Sequence, residues 1–519
     1  MFVSVLVGLF ARHWPVISFL GLLVYLSWNR YHHGLSKYPG PLLASLTDWW
    51  RFVDVWSRRA EVTHRKLHDK HGDIVRLGPN VLSFGDPQAL KTIYGLKKGF
   101  VKSEFYPVQQ SVSKGQRLPS LFSTTNEDFH AALRRSVNSA FSMSTLLQYE
   151  QFVDSTTEVF LDQIEQRFAR TGAICDLSRW LQYYAFDVIG ELTYSKRHGF
   201  VDRGEDVDGI IDYLGSLFSY VAPIGQIPGL DLLMLKNPLL LLLDRLGIWN
   251  STFPVVSFAK ARMAERTPEL SQQNGKASDG RADLLSKFFQ AQVDRPNFMD
   301  DSRVLTMAVS MAFAGSETTA ISLTAIFYFL LKHPSCHEQL LTELDSAVQT
   351  GAVVDRPSGL VTFTEAQNLP YLDACVKEAF RLFPAAGLPL ERITPPEGAT
   401  ICGHQIPGGT IVGCSAWIIH RRPEIFGADP DSYNPSRWLD RSEEELKAMN
   451  GTMFQFGMGA RTCIGKNISL LEIYKVVPSI LRRFEVNLAD PSKEWKLHNA
   501  WFIKQSEVYA TFQRRTQKA

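Results

Sequence analysis

Apolar residues crowd the first thirty positions of the chain and then thin out. Phe2 to Phe10 is one apolar run, Arg12 and His13 interrupt it, and Trp14 to Trp28 is a second. A membrane-spanning helix needs about 20 apolar residues, slightly more than the second run supplies alone. Joined to part of the first, it predicts a span over about 8–28, with Arg12 snorkelling to the interface. The alternative is an amphipathic anchor lying on the surface. Arg30, His32, His33 and Lys37 follow, a basic flank that favours keeping the rest of the chain cytoplasmic. No small-residue cleavage site is evident, which argues against a removed signal peptide.

Beyond this segment the periodicities change. YPGP, Tyr38 to Pro41, predicts a rigid non-helical hinge within 31–44. Residues 57–71 have the pattern of a polar helix, and 74–86 alternate like two short strands around a turn at Gly78–Asn80. Helical patterns dominate from about 127 to 383, with a polar stretch near 266–280 expected to be a surface loop. Prolines and glycines thicken from 384 to 436, where short strands and coil are expected. By pattern alone, Leu232 to Leu243 predicts a core segment. The expected architecture is mainly α with a minor β part: an anchor (1–30), a hinge (31–44) and one large domain (45–519).

Charge adds one exclusion. Fifty-five basic residues against 53 acidic ones give no electrostatic case for a nucleic acid partner. The six cysteines are too scattered for a disulfide framework and contain no CxxC pair, so they suit a reducing compartment.

One of those cysteines carries the chemistry. FGMGARTCIG, Phe456 to Gly465, sets Cys463 in a glycine-rich loop ahead of a helical pattern. A thiolate placed there can be the single protein ligand of a haem iron. Gly457, Gly459 and Gly465 let backbone pass close to a flat macrocycle, and Arg461 has the reach to meet a propionate. Loop N–H groups and the following helix can hold the sulfur as an anion. Chance produces the six fixed letters F-G-x-G-x-R-x-C-x-G about once in a hundred thousand chains of this length, so a merely structural cysteine is the poorer explanation.

A second motif lies in the helical pattern from about 299 to 331: AGSETT, Ala314 to Thr319. Gly315 in mid-helix costs ~1 kcal/mol relative to alanine, and close approach of the backbone to a haem face would compensate. Thr318 can bond back to the Ala314 carbonyl and loosen the helix, while Glu317 supplies an ionisable group for proton relay. A third motif, EAFR, puts Glu378 and Arg381 on one helical face.

These three motifs resemble the cytochrome P-450 family, the haem-thiolate monooxygenases. The resemblance implies a single haem domain holding haem b (iron protoporphyrin IX), with Cys463 as axial ligand. It carries over Glu317 and Thr318 as an acid–alcohol pair, and Glu378, Arg381 and Arg437 (in YNPSRW) as a buried scaffold network. Tyr433 and Ser436 depart from the family's usual Phe and Glu. Arg392 in PLER, and His130 with Arg134, match its propionate-binding positions, His130 replacing the usual tryptophan. Phe456 and Gly315 are counted with the haem contacts. His420 is expected to be structural rather than a ligand.

The chain has no flavin or nicotinamide fingerprint, so the resemblance implies an NADPH-dependent flavoprotein reductase, docked by residues such as Lys466 or Arg421. It implies an endoplasmic-reticulum anchor, and it places Leu232–Leu243 at the bilayer instead of in the core. The apolar stretches Ala308–Ala314, Ala385–Leu390 and Trp501–Ile503 point to a lipophilic small-molecule substrate, oxidised with O2. Likeness is greatest to filamentous-fungal members of pisatin-demethylase type, which tailor secondary metabolites. Two rivals stand beside this: a same-fold hydroperoxide isomerase or dehydratase, and a non-catalytic haem-binding sensor. The first tends to lose the acid–threonine pair, which this chain retains.

Overall fold

The computed structural model describes residues 2–96, 99–272 and 283–515. It opens with one helix, Phe2–Tyr31. From Trp14 onward its large apolar side chains stand in the open, Val24 being 68% exposed. The far end of this helix is fastened to the domain. Asn29 Nδ2 donates to the Leu46 carbonyl at 2.7 Å, and buried Arg76 donates to the carbonyls of Asn29 and Arg30 at 2.9 and 3.0 Å.

The expected hairpin forms from Ile74–Gly78 and Val81–Phe84, paired antiparallel. Its second strand runs parallel to Ile411–Cys414, which pairs with Arg392–Ile393, and that strand with Val101–Lys102. This five-stranded sheet ties the start of the domain to the proline-rich stretch after 384. The strands are short and β-branched or apolar, as a half-buried pleated surface favours.

Helices make up the bulk of the molecule, around one large cluster of buried apolar side chains. Through it runs Asp301–Lys332, the one helix among the described residues long and apolar enough to cross a membrane. Most of its apolar window is buried inside the protein, so it is a core helix. Its hydrogen-bonding loosens to a π-helical turn over Met311–Gly315. Gly315 sits close to the neighbouring helix Leu177–Tyr194: a Cβ there would lie 2.6 Å from Ile189 Cδ1 and push that side chain aside.

Glu378 and Arg381 are wholly buried, joined by hydrogen bonds of 2.7 and 2.8 Å. Arg437 Nε reaches the same carboxylate at 3.3 Å, and Trp438 Nε1 donates to it at 2.9 Å. Such a group is expensive to break, because each charge left behind is buried without a partner. His420, also fully buried, accepts from the Phe454 N–H at 2.7 Å through Nε2. Its Nδ1 must then carry the proton, which it shares with the Arg381 carbonyl at 3.2 Å. Burial lowers its pKa to about 3, so the ring is a neutral link between the scaffold and the cysteine loop.

Three expectations are corrected. The stretch near 266–280 is helical as far as Gln272 (Pro254–Gln272), and 273–282 lie outside the described residues. Leu232–Leu243 does not form core: Pro238 starts a fresh helix, Pro238–Arg245, capped by Asn237, and leaves Leu233 and Leu239 outward. Arg421 does not present its charge outward. It donates to the carbonyls of Leu382 and Trp417 at 2.7 and 3.1 Å and to Asp431 at 3.0 Å.

Candidate active site

The cysteine loop folds back on itself ahead of the helix Lys466–Arg483, with the Cys463 N–H donating to the Phe456 carbonyl at 2.8 Å. Gly457 and Gly459 take left-handed backbone conformations, whereas Gly465 does not. At Gly459 a Cβ would lie 1.9 Å from the Tyr94 carbonyl oxygen, so no side chain fits. The Cys463 side chain opens onto an internal cavity of about 300 Å³. Burial pushes its thiol up, opposed by the N–H groups of Gly465 and Lys466 and by the charges of Arg134 and Lys466. A bound cation at the sulfur is what would settle it as thiolate.

Thr318 and Gly315 line the same cavity. Thr318 Oγ1 donates to the Ala314 carbonyl at 2.9 Å, directly after the π-helical turn. Glu317 is buried on another side of the helix, against Gln182 and 3.8 Å from Lys504 Nζ. Burial raises its pKa, and Lys504 and the Gln182 amide oppose the shift.

Cations gather on one side of the cavity. Arg392 and His130 are buried there, and Arg134 Nη1 donates to the Thr462 carbonyl at 2.7 Å, one residue from Cys463. Arg461 pairs with Glu127 at 2.7 Å and donates to the Leu121 carbonyl at 3.1 Å. Burial holds the His130 pKa down at about 3, helped by Arg461, Lys102, Arg134 and Arg392. Phe456 lines the cavity and packs edge-on against Phe380.

Lys102 and Tyr106 belong to this group as well, and no motif announces them. The one available sign is a lysine inside the apolar and aromatic run GFVKSEFYP. Of the three stretches expected at the substrate, Met311, Phe313, Ala385, Leu388 and Trp501 reach the cavity, while Ala312 and Ile503 turn into the core.

The chemistry of this lining can be tested against a haem. Lys102, Arg134, Arg392 and Arg461 converge with Glu127 as their paired carboxylate, so the cavity demands further anions. The remaining walls are apolar and a thiol faces inward, which suits a flat, largely apolar group bearing two carboxylates and a thiophilic metal. The residues fit the group.

Fold and cavity together define a helical protein whose cavity suits an anionic prosthetic group carrying a thiophilic metal. Residues 44–510 match the Cytochrome P450 family. Cytochrome P450 monooxygenase cicH of Emericella nidulans is 42% identical over 93% of this chain and 94% of its own length. A cytochrome P450 monooxygenase of Aspergillus terreus is 41% identical, covering 91% of this chain and 94% of its own. A third, from Aspergillus flavus, is 36% identical over 96% and 95%. The chain belongs to the cytochrome P450 family and is an oxidoreductase of the monooxygenase type. The family's cofactor is a thiolate-ligated haem iron, and its reaction uses O2, a small-molecule substrate and a redox partner.

Proposed function

We propose that this chain is a membrane-anchored haem b monooxygenase that hydroxylates a lipophilic small molecule of fungal secondary metabolism, with electrons from an NADPH-dependent flavoprotein reductase. The observation that carries the proposal is that Cys463 and Thr318 line one cavity whose four cations, among the described residues, have the Glu127 carboxylate as their paired anion. Bound haem would supply the reductive activation of O2 and its insertion into a C–H bond.

The chain's residues supply everything else. Cys463 would ligate the iron, and Arg134, Arg392, Arg461 and His130 would receive the carboxylates. Thr318 holds a proton at Oγ1 in the groove that its bond to Ala314 leaves open. Glu317, kept protonated more readily than a surface carboxylate, resupplies that proton from the side of Lys504. Apolar side chains such as Phe313, Leu388 and Trp501 exclude water and select a lipophilic skeleton.

Membrane attachment is supported by the outward apolar side chains of 14–28 and by a second exposed group at Leu233, Leu239, Ile248 and Trp249. A single span over about 8–28, with the domain on the cytosolic face of the endoplasmic reticulum, fits the basic flank that follows. Lys466, exposed beside the cysteine loop, is placed to meet an acidic reductase surface.

The test is a screen of lipophilic compounds for a substrate-induced shift of the haem absorption, followed by NADPH consumption with reductase. A compound that shifts the spectrum and drives oxygenated product supports the proposal. A compound that shifts it without consuming NADPH favours a sensor, and turnover of a hydroperoxide without reductase favours the isomerase.

A further inference from the structure

We propose that Gln109 recognises a hydroxyl group on the substrate, which narrows the substrate class to lipophilic alcohols and phenols. The proposal deepens the lipophilic-substrate reading above and rests on it. Gln109 lines the cavity shared by Cys463 and Thr318, and is only 8% exposed. Among the described residues, neither its amide Nε2 nor its Oε1 has a hydrogen-bond partner. A buried amide left unpaired is a standing cost to the fold, so such a group calls for a ligand of matching chemistry.

The segment that carries Gln109 is held from behind. Tyr106–Gln109 is a short, tight helical turn, and Ser111–Ser113 after it pairs antiparallel with Gln116–Leu118. Val108 and Val112 are buried in the main core, while Gln109 and Ser111 line the cavity. Buried Lys236 donates to the Val108 carbonyl at 2.7 Å, and the Phe253 N–H donates to the Val112 carbonyl at 3.0 Å. A fixed backbone thus presents Gln109, and its side chain gives up no hydrogen bond when it turns to a ligand.

Several other polar groups of the lining are already engaged. Thr306, Ser310 and Ser322 each donate to the carbonyl four residues back, at 2.7, 2.7 and 2.9 Å. Ser120 Oγ pairs with Ser123 Oγ at 3.0 Å. The Gln109 amide is uncharged and offers both donors and an acceptor. A ketone or ether accepts only and would leave Oε1 unpaired. A hydroxyl can give its proton to Oε1 and still accept a bond, for which the Ser111 hydroxyl two residues on is available to the same cavity. A substrate of this class arrives already oxygenated, so an earlier reaction that installs or uncovers a hydroxyl must supply it.

The experiment uses the full haem-loaded chain and the variants Gln109→Leu and Gln109→Met. Three probes of closely similar shape, naphthol, methylnaphthalene and methoxynaphthalene, are partitioned against each protein by equilibrium dialysis. The preference for naphthol over methylnaphthalene should be about ten-fold stronger in the unaltered protein than in either variant, as expected for a neutral hydrogen bond to a group otherwise left unpaired. The preference for methoxynaphthalene over methylnaphthalene should change by less than about three-fold. Both variants should melt at or above the temperature of the unaltered protein, because no hydrogen bond within the protein is lost.

A naphthol preference unchanged in both variants overturns the proposal. So does a methoxynaphthalene preference lost to the same extent, which would make the amide a donor to any oxygen. A lowered melting temperature with all three probes weakened alike would make Gln109 a packing residue and overturn it too. A haem-loaded protein that binds none of the probes contradicts the lipophilic-substrate reading underneath, so the two failures are distinct.

Discussion

Glu317 lies 3.8 Å from Lys504 Nζ, across the contact between the core helix and the strand Phe502–Ser506, while its neighbour Thr318 lines the cavity. The acid and the alcohol of one motif thus serve two compartments. Lys504 is partly exposed, so this pair connects a buried carboxyl to solvent without crossing the substrate space.

Because burial raises the Glu317 pKa, the folded protein holds that proton more firmly than the unfolded chain does. The group's contribution to stability is complete below its ordinary pKa of 4.5 and is lost as pH rises through the folded value. Glu317→Gln should therefore gain on the unaltered protein from pH 4.5 toward neutrality, by about 1.4 kcal/mol for each tenfold by which folding tightens the proton's binding. Urea unfolding of both proteins across that range checks it. A stability difference independent of pH would mean the carboxyl is not perturbed.

Thr318→Ala removes the hydroxyl bonded to the Ala314 carbonyl and should divert most NADPH to hydrogen peroxide, whereas Thr318→Ser should remain coupled. Product formed per NADPH is the readout. Unchanged coupling in the alanine variant would remove Thr318 from the proton path.

Much of this site is legible in the residues alone. Cys463, Thr318 and Glu378 sit in motifs whose members are close in sequence, so spacing alone brings them together. The hydrogen bond from Thr318 to Ala314 follows from helical geometry, and the structure contains it. Lys102 is hidden in the sequence because its neighbour Arg392 arrives from a distant strand, through a two-residue pairing that no periodicity announces. Trp438 joins the Glu378 group unannounced for the same reason. Arg421 misleads because charge suggests a surface, whereas its guanidinium has three interior and rim acceptors. The Leu232–Leu243 stretch misleads in the opposite sense: a run of leucines has the composition of core, but Pro238 restarts the helix, and Leu232, Leu233, Leu235, Leu239 and Leu242 face out while Leu241 stays in the core.

The buried Glu378 carboxylate serves Arg381, Arg437 and Trp438 at once. Glu378→Gln should cost about 3–5 kcal/mol, since it leaves the buried Arg381 guanidinium without its counter-charge, while Arg437 keeps Asp429 at 2.8 Å. Thermal unfolding and the yield of haem-loaded protein measure this. A melting temperature unchanged from the unaltered protein would show that the network is dispensable.

Removing residues 2–31 should release much of the protein from membranes, though not all of it. Adding Leu233→Ser and Leu239→Ser should release the remainder, because each exposed leucine withdrawn from lipid forfeits about 1.5–3 kcal/mol. Flotation with liposomes separates the two contributions. Complete release by the truncation alone would dismiss the second contact.

The absorption spectrum of the ferrous, CO-bound protein tests the assignment of Cys463 most directly. The unaltered chain should show the strongly red-shifted Soret band of a thiolate-ligated haem, and Cys463→Ala should lack it at any haem content. The same red-shifted band in both proteins would contradict the account.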